Sequence, residues 1–218
     1  MKLAFIKSPA KALVPVCAAL ALLTPGAQAE STYGYNAAGA AGATANAKVN
    51  FEVKVPMLIL LRVGTSGTTV DTVTLTVAPS PGIPGLGGVA AASLVDGSNQ
   101  PTAWDGTAPV MAATASPASV TAYAWTNSSG GGSLNGAITT AFAGASGLTG
   151  ASIAVTSAAP VNGGLAHPGT NLGAFTAQTF TPNSLRSSTW AYSLTPAAVA
   201  AVTAGSHTAT VTYTATSL

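Results

Sequence analysis

Along this chain apolar and polar residues alternate with period two in several places, and no stretch keeps the 3.6-residue period of a core helix. The first such run is residues 49–55, where Val49, Phe51, Val53 and Val55 are separated by Asn50, Glu52 and Lys54. This spacing predicts a strand with one face buried, beginning the ordered body. Pro56 interrupts it, and Met57-Leu58-Ile59-Leu60-Leu61 follows, bounded by Arg62 and Gly64. A continuous apolar run of this length falls well short of the roughly 20 residues of a membrane span and predicts a strand buried on both faces. Residues 70–77 alternate again, with Val73, Leu75 and Val77 on one face and Thr72, Thr74 and Thr76 on the other. Threonine favours the pleated backbone while its hydroxyl keeps the outer face wet, so here it takes the place of charge.

Residues 79–109 are rich in turn formers, in Pro79-Ser80-Pro81-Gly82 and in Asp96-Gly97-Ser98-Asn99, and predict a long loop or irregular short strands. Alternation returns at 120–125, weakly at 152–156, and at 188–195, where Trp190, Tyr192 and Leu194 share a face. Gly130-Gly131-Gly132 marks a hairpin tip or a mobile loop. One short helix is expected, capped by Thr195, opened by Pro196 and ended by Gly205. In the last segment His207, Ala209, Val211, Tyr213 and Ala215 alternate with threonines, and this is the cleanest strand signal in the chain. Many short strands with turn chemistry between them predict an all-β fold. An immunoglobulin-like antiparallel β-sandwich with one short helix before the last strand is the expected architecture, and a jelly roll is the second.

The first 29 residues carry Lys2, Lys7 and Lys11, then an apolar stretch, then Thr24-Pro25-Gly26 and the small-x-small triplet Ala27-Gln28-Ala29. That is the pattern of a secretory signal peptide cleaved before Glu30. Residues 30–47, rich in Ala and Gly, read as a flexible leader, and 48–218 as a single domain. Cleavage removes Cys17, the one cysteine, so the exported protein has no disulfide. It also removes three of the 7 basic residues, leaving 4 against 5 acidic ones. So little positive charge excludes a nucleic-acid footprint and a polybasic membrane patch. The expected location is the periplasm, the cell surface or the extracellular space.

Candidate chemistry is sparse. A hydrolase triad needs a histidine beside a nucleophile and an acid. His167 sits in a Pro-Gly turn and His207 at the start of the last strand, so both read as exposed or edge-packed. The carboxylates Glu52, Asp71, Asp96 and Asp105 lie on a polar strand face, at a strand start or in Asp-Gly turns, which are ordinary solvated positions. Asp96, Asn99 and Asp105 match no calcium-loop spacing. Asn127-Ser128-Ser129 has the form of a glycosylation acceptor. No catalytic residue, cofactor or metal is expected, and the chain does not read as an enzyme. Of the three tryptophans, Trp104 beside Asp105-Gly106 is the candidate exposed ligand aromatic, whereas Trp190 shares the phase of a core.

The segment Gly205-Ser206-His207-Thr208-Ala209-Thr210-Val211-Thr212-Tyr213-Thr214-Ala215-Thr216 resembles the closing strand of chaperone–usher pilin-like fimbrial subunits and of spore-coat-U-like secreted proteins. Gly205 is fourteenth from the end, where those pilins commonly carry a glycine. The chain differs from them in lacking a disulfide, in having Ser217 where they often have a tyrosine, and in a leader, residues 31–47, that shows their regular apolar alternation only as Tyr33 and Tyr35. The resemblance implies an incomplete sandwich whose groove is filled first by a periplasmic chaperone and then by a neighbour's leader. Gly205, Ala209, Val211 and Tyr213 would then mark the assembly strand. The expected function is a secreted structural subunit of a surface filament or coat, joined to copies of itself or to other subunits. The other class consistent with the residues is a monomeric extracellular carbohydrate-binding or adhesive module that uses Trp104.

Overall fold

The computed structural model describes residues 30–85, 88–115, 119–158 and 163–218. The expected signal peptide and Cys17 lie outside these residues. The chain divides at residue 55, and the part from Pro56 to Leu218 is a compact unit built from nine strands and one α-helix among its described residues. It is an all-β sandwich of antiparallel sheets, with the single helix just before the last strand.

One sheet contains β1 (Ile59–Val63), β4 (Ser119–Thr126), β6 (Ile153–Ser157) and β8 (Arg186–Leu194), in the order β1-β4-β8-β6. The second contains β5 (Gly132–Thr140), β7 (Gln178–Phe180) and β9 (Thr210–Ser217), in the order β7-β5-β9. β2 (Leu75–Pro79) and β3 (Met111–Ala115) form a separate two-stranded ribbon. Helix α1 (Pro196–Ala201) starts as its sequence predicts, with the Thr195 hydroxyl accepting from the Ala198 amide at 3.3 Å. It ends at Val202, before Gly205, whose φ of +141° instead serves the loop leading to β9.

The core lies between the two larger sheets. Ala122, Ala124, Ile153, Val155, Trp190 and Tyr192 come from the first, and Leu134 and Phe180 from the second. Trp190 is fully buried, and its indole N–H donates to the Leu165 carbonyl at 2.9 Å, so the largest apolar residue carries no unpaired polar group. β8 alternates as expected, and β4 does so over its C-terminal half, because each buries one face and exposes the other.

Several expectations are corrected. Residues 49–55 form no ladder and are exposed along their whole length, with Phe51 90% and Val53 84% exposed. Alternation reports a capacity to pair, and residues 49–55 join no ladder among the described residues. The run at 57–61 is not buried on both faces. It gives the edge strand β1, in which Ile59, Leu61 and Val63 face inward while Leu60 and the preceding Met57 and Leu58 lie exposed. β2 begins at Leu75 rather than at 70, although Val73, Leu75 and Val77 do share the inner phase. The Gly130 to Gly132 triplet is not a hairpin tip. It carries the chain from β4 in one sheet to β5 in the other, with Gly131 at φ +82°.

Candidate functional site

β9 is hydrogen-bonded along one side only, to β5, from Gly132 opposite Ser217 to Thr140 opposite Thr210. β1 is likewise paired on one side, to β4. The two come within 8 Å between Cα atoms but share no ladder. Each therefore leaves a row of backbone amides and carbonyls without a ladder partner. The inner-face residues of these edges are only half-buried: Val211, Tyr213 and Ala215 on β9, and Ile59, Leu61 and Val63 on β1. All of them pack against the core from its margin. An apolar seam between two unfinished edges is what a further strand would cover.

Of the residues expected to mark this strand, Val211 and Tyr213 lie on its inner face, and Ala209 immediately precedes it, half-buried on the same phase. Gly205 lies outside it, in the connecting loop. Trp104 is elsewhere, in the long loop 80–110, and is 57% exposed. Its indole N–H donates to the Thr107 carbonyl at 2.6 Å, and Asp105 accepts from both the amide and the hydroxyl of Thr107. Those bonds hold the Asp105 carboxyl below its usual range, because the charged form accepts both. These polar groups around Trp104 are thus spent on the loop's own turn.

His167, expected from its turn sequence to be exposed or edge-packed, is buried. It stacks edge-on against Trp190, with ring centroids 4.9 Å apart, and lies close to Tyr213 and Phe175. Its Nδ1 lies 2.6 Å from the Gly169 carbonyl oxygen and 3.1 Å from the Gly169 amide nitrogen. Nε2 is 2.8 Å from the Tyr213 hydroxyl oxygen, which is in turn 3.2 Å from that of Tyr192. Burial depresses the His167 pKa, with the Gly169 bond opposing it, and burial raises both tyrosines. No carboxylate joins this chain of bonds. It is a structural tie, and it fixes the Tyr213 ring where β9 faces the seam. No sequence signal links residues 46 apart in this way.

Asn127, read from sequence as a glycosylation acceptor, has its side-chain amide engaged at both ends. Oδ1 accepts from the Leu58 amide at 2.7 Å and Nδ2 donates to the Pro56 carbonyl at 2.8 Å. Ser128 beside it is buried. Asp71 accepts from the amide and hydroxyl of Thr65, closing the turn after β1, and those bonds lower its pKa. Among the described residues no three metal-ligating side chains come together, and no helix is long and apolar enough to cross a membrane.

No family model, curated protein or solved structure matches this chain.

Proposed function

We propose that the protein is a secreted structural subunit of a surface filament or coat, assembled by strand addition. In this reading residues 48–55 of one copy cover the seam between β1 and β9 of another. The observation that carries it is the exposure of Val49, Phe51, Val53 and Val55 in a strictly alternating, unpaired segment. Four large apolar groups on one phase are costly to leave in water, at about 25 cal/mol per Å² of surface. The seam offers them a complementary place. β9 is eight residues long, as is the segment 48–55, and its inner Val211, Tyr213 and Ala215 are left half-covered. The arm's other phase, Asn50, Glu52 and Lys54, is polar and would continue the threonine face of β9. An inserted strand needs about 4.8 Å on each side, so the edges must part slightly to admit it. A periplasmic chaperone capping the same seam before assembly fits this chemistry.

The experiment is the size distribution of the purified mature chain beside a Phe51→Asp, Val53→Asp variant. Wild type should form large regular assemblies, and the variant should stay monomeric with an unchanged melting temperature, since neither residue is buried in the unit that folds. Assembly that persists in the variant overturns the reading. A stable wild-type monomer that binds a glycan array through Trp104 favours the carbohydrate-binding alternative, which rests on that residue's exposure.

A further inference from the structure

We propose that Asn127 is the residue that directs the arm to another chain instead of its own; the inference rests on the strand-addition reading above. The local sequence permits the opposite outcome. Residues 48–55 are separated from β1 by only Pro56, Met57 and Leu58, a connection of the length that closes β-hairpins, with proline at a position that favours a turn. β1 has a free edge on which such a hairpin would form, and a hairpin there would lay the arm along its own seam.

The structure instead shows no turn or bend at residues 56–58, directly ahead of β1. Four hydrogen bonds from the end of β4 enforce this. The Asn127 side chain binds the Leu58 amide and the Pro56 carbonyl, and the Leu58 carbonyl accepts from the Asn127 amide at 3.3 Å and from the Thr126 hydroxyl at 3.0 Å. A carboxamide offers an acceptor and a donor on one planar group, so it can hold both ends of a three-residue segment at once. Reversing the chain between 56 and 58 breaks those bonds. Without that reversal the arm forms no hairpin on its own β1 and is left for the seam of a second copy, and each copy completed in this way still presents its own arm, which is the condition for a polymer rather than a closed monomer.

The test places one cysteine on the outer phase of the arm, Glu52→Cys, and one on the outer phase of β9, Thr212→Cys, in a full-length Cys17→Ser chain produced in an exporting bacterial host. A short bismaleimide spans adjacent strands even one register step apart. With Asn127 intact, the cross-linked product should be a ladder of multimers. With Asn127→Ala, the intramolecular product, a monomer of increased gel mobility, should rise on the order of tenfold or more, as expected for the loss of two hydrogen bonds. Asn127→Asp keeps the acceptor and loses the donor, and should give an intermediate rise; it also reads the effect if the alanine variant fails to fold. Ladders of equal strength in all three chains overturn the role of Asn127 and leave strand addition standing. Intramolecular product already dominant with Asn127 intact overturns strand addition between copies, and absence of any product overturns both.

Discussion

The Tyr213 hydroxyl and His167 Nε2 are hydrogen-bonded across 2.8 Å, tying the last strand to the loop between β6 and β7. Burial favours the neutral imidazole and lowers the His167 pKa below the ordinary 6.5. The unfolded chain protonates at that ordinary value. Below it the unfolded state binds more protons than the folded one, so stability is full above about pH 6.5 and falls as the pH drops through the depressed value. Urea midpoints should therefore decline between roughly pH 7 and pH 5. In His167→Gln that decline should flatten, whereas His207→Ala, whose ring only meets the Thr203 carbonyl, should keep it. An unchanged slope in His167→Gln would show that another group sets it.

Trp190→Ala removes a fully buried ring that touches both His167 and Tyr213 and leaves the Leu165 carbonyl without its donor. Such truncations cost about 3–5 kcal/mol, a large part of a domain's stability. Chemical denaturation should show a loss of that size, or no folded protein at all. A loss below about 1 kcal/mol, within the range of ordinary surface changes, is incompatible with this packing.

Gly131 adopts φ +82° where the chain crosses between sheets, and a Cβ there would lie 2.4 Å from the Phe180 carbonyl oxygen. Gly131→Ala meets both a disfavoured backbone region and a clash with backbone. It should destabilise by about 1–3 kcal/mol. Gly106→Ala is the control: its φ of +88° is equally left-handed, but nothing lies within 4 Å of the added atom. Thermal melts should rank Gly131→Ala clearly below it.

The fold class was legible because the buried strands that build the core, β8 and the inner half of β4, alternate cleanly, and because Thr195-Pro196 starts the helix by chemistry that acts within a few residues. β5 was not legible. Its inward positions are Gly132, Leu134, Gly136 and Ile138, and the two glycines are there because aromatic rings occupy the space. A Cβ at 132 would meet the Phe180 ring at 2.2 Å and one at 136 the Phe175 ring at 2.6 Å. A strand whose apolar face is supplied by other elements shows no alternation of its own. The segment 49–55 errs in the opposite direction, since its alternation is perfect but it joins no ladder. Asn127 and His167 escaped because hydrogen bonds that join residues 69 and 46 apart leave no trace in local sequence.

The closing strand supplies the sharpest contrast between faces. Val211 stands on the inner phase of β9 beside the core, opposite Ile138, and Thr212 stands on the outer phase, opposite Ala137, with its hydroxyl 3.1 Å from that of Thr139. Val211→Asp puts a carboxylate against the apolar groups of the core margin, and any strand that closed the seam would bury it further. An uncompensated buried charge costs several kcal/mol or forces the side chain out of place. Thr212→Asp sets the same charge in water, where the loss is one hydroxyl contact. Folded protein, measured by denaturation, should fall moderately in the first variant, because Val211 is only half-buried in the isolated unit, and hardly at all in the second. Assembled material should be abolished in the first and largely kept in the second. A Val211→Asp chain that assembles as well as wild type would place the contact surface somewhere other than the inner face of β9.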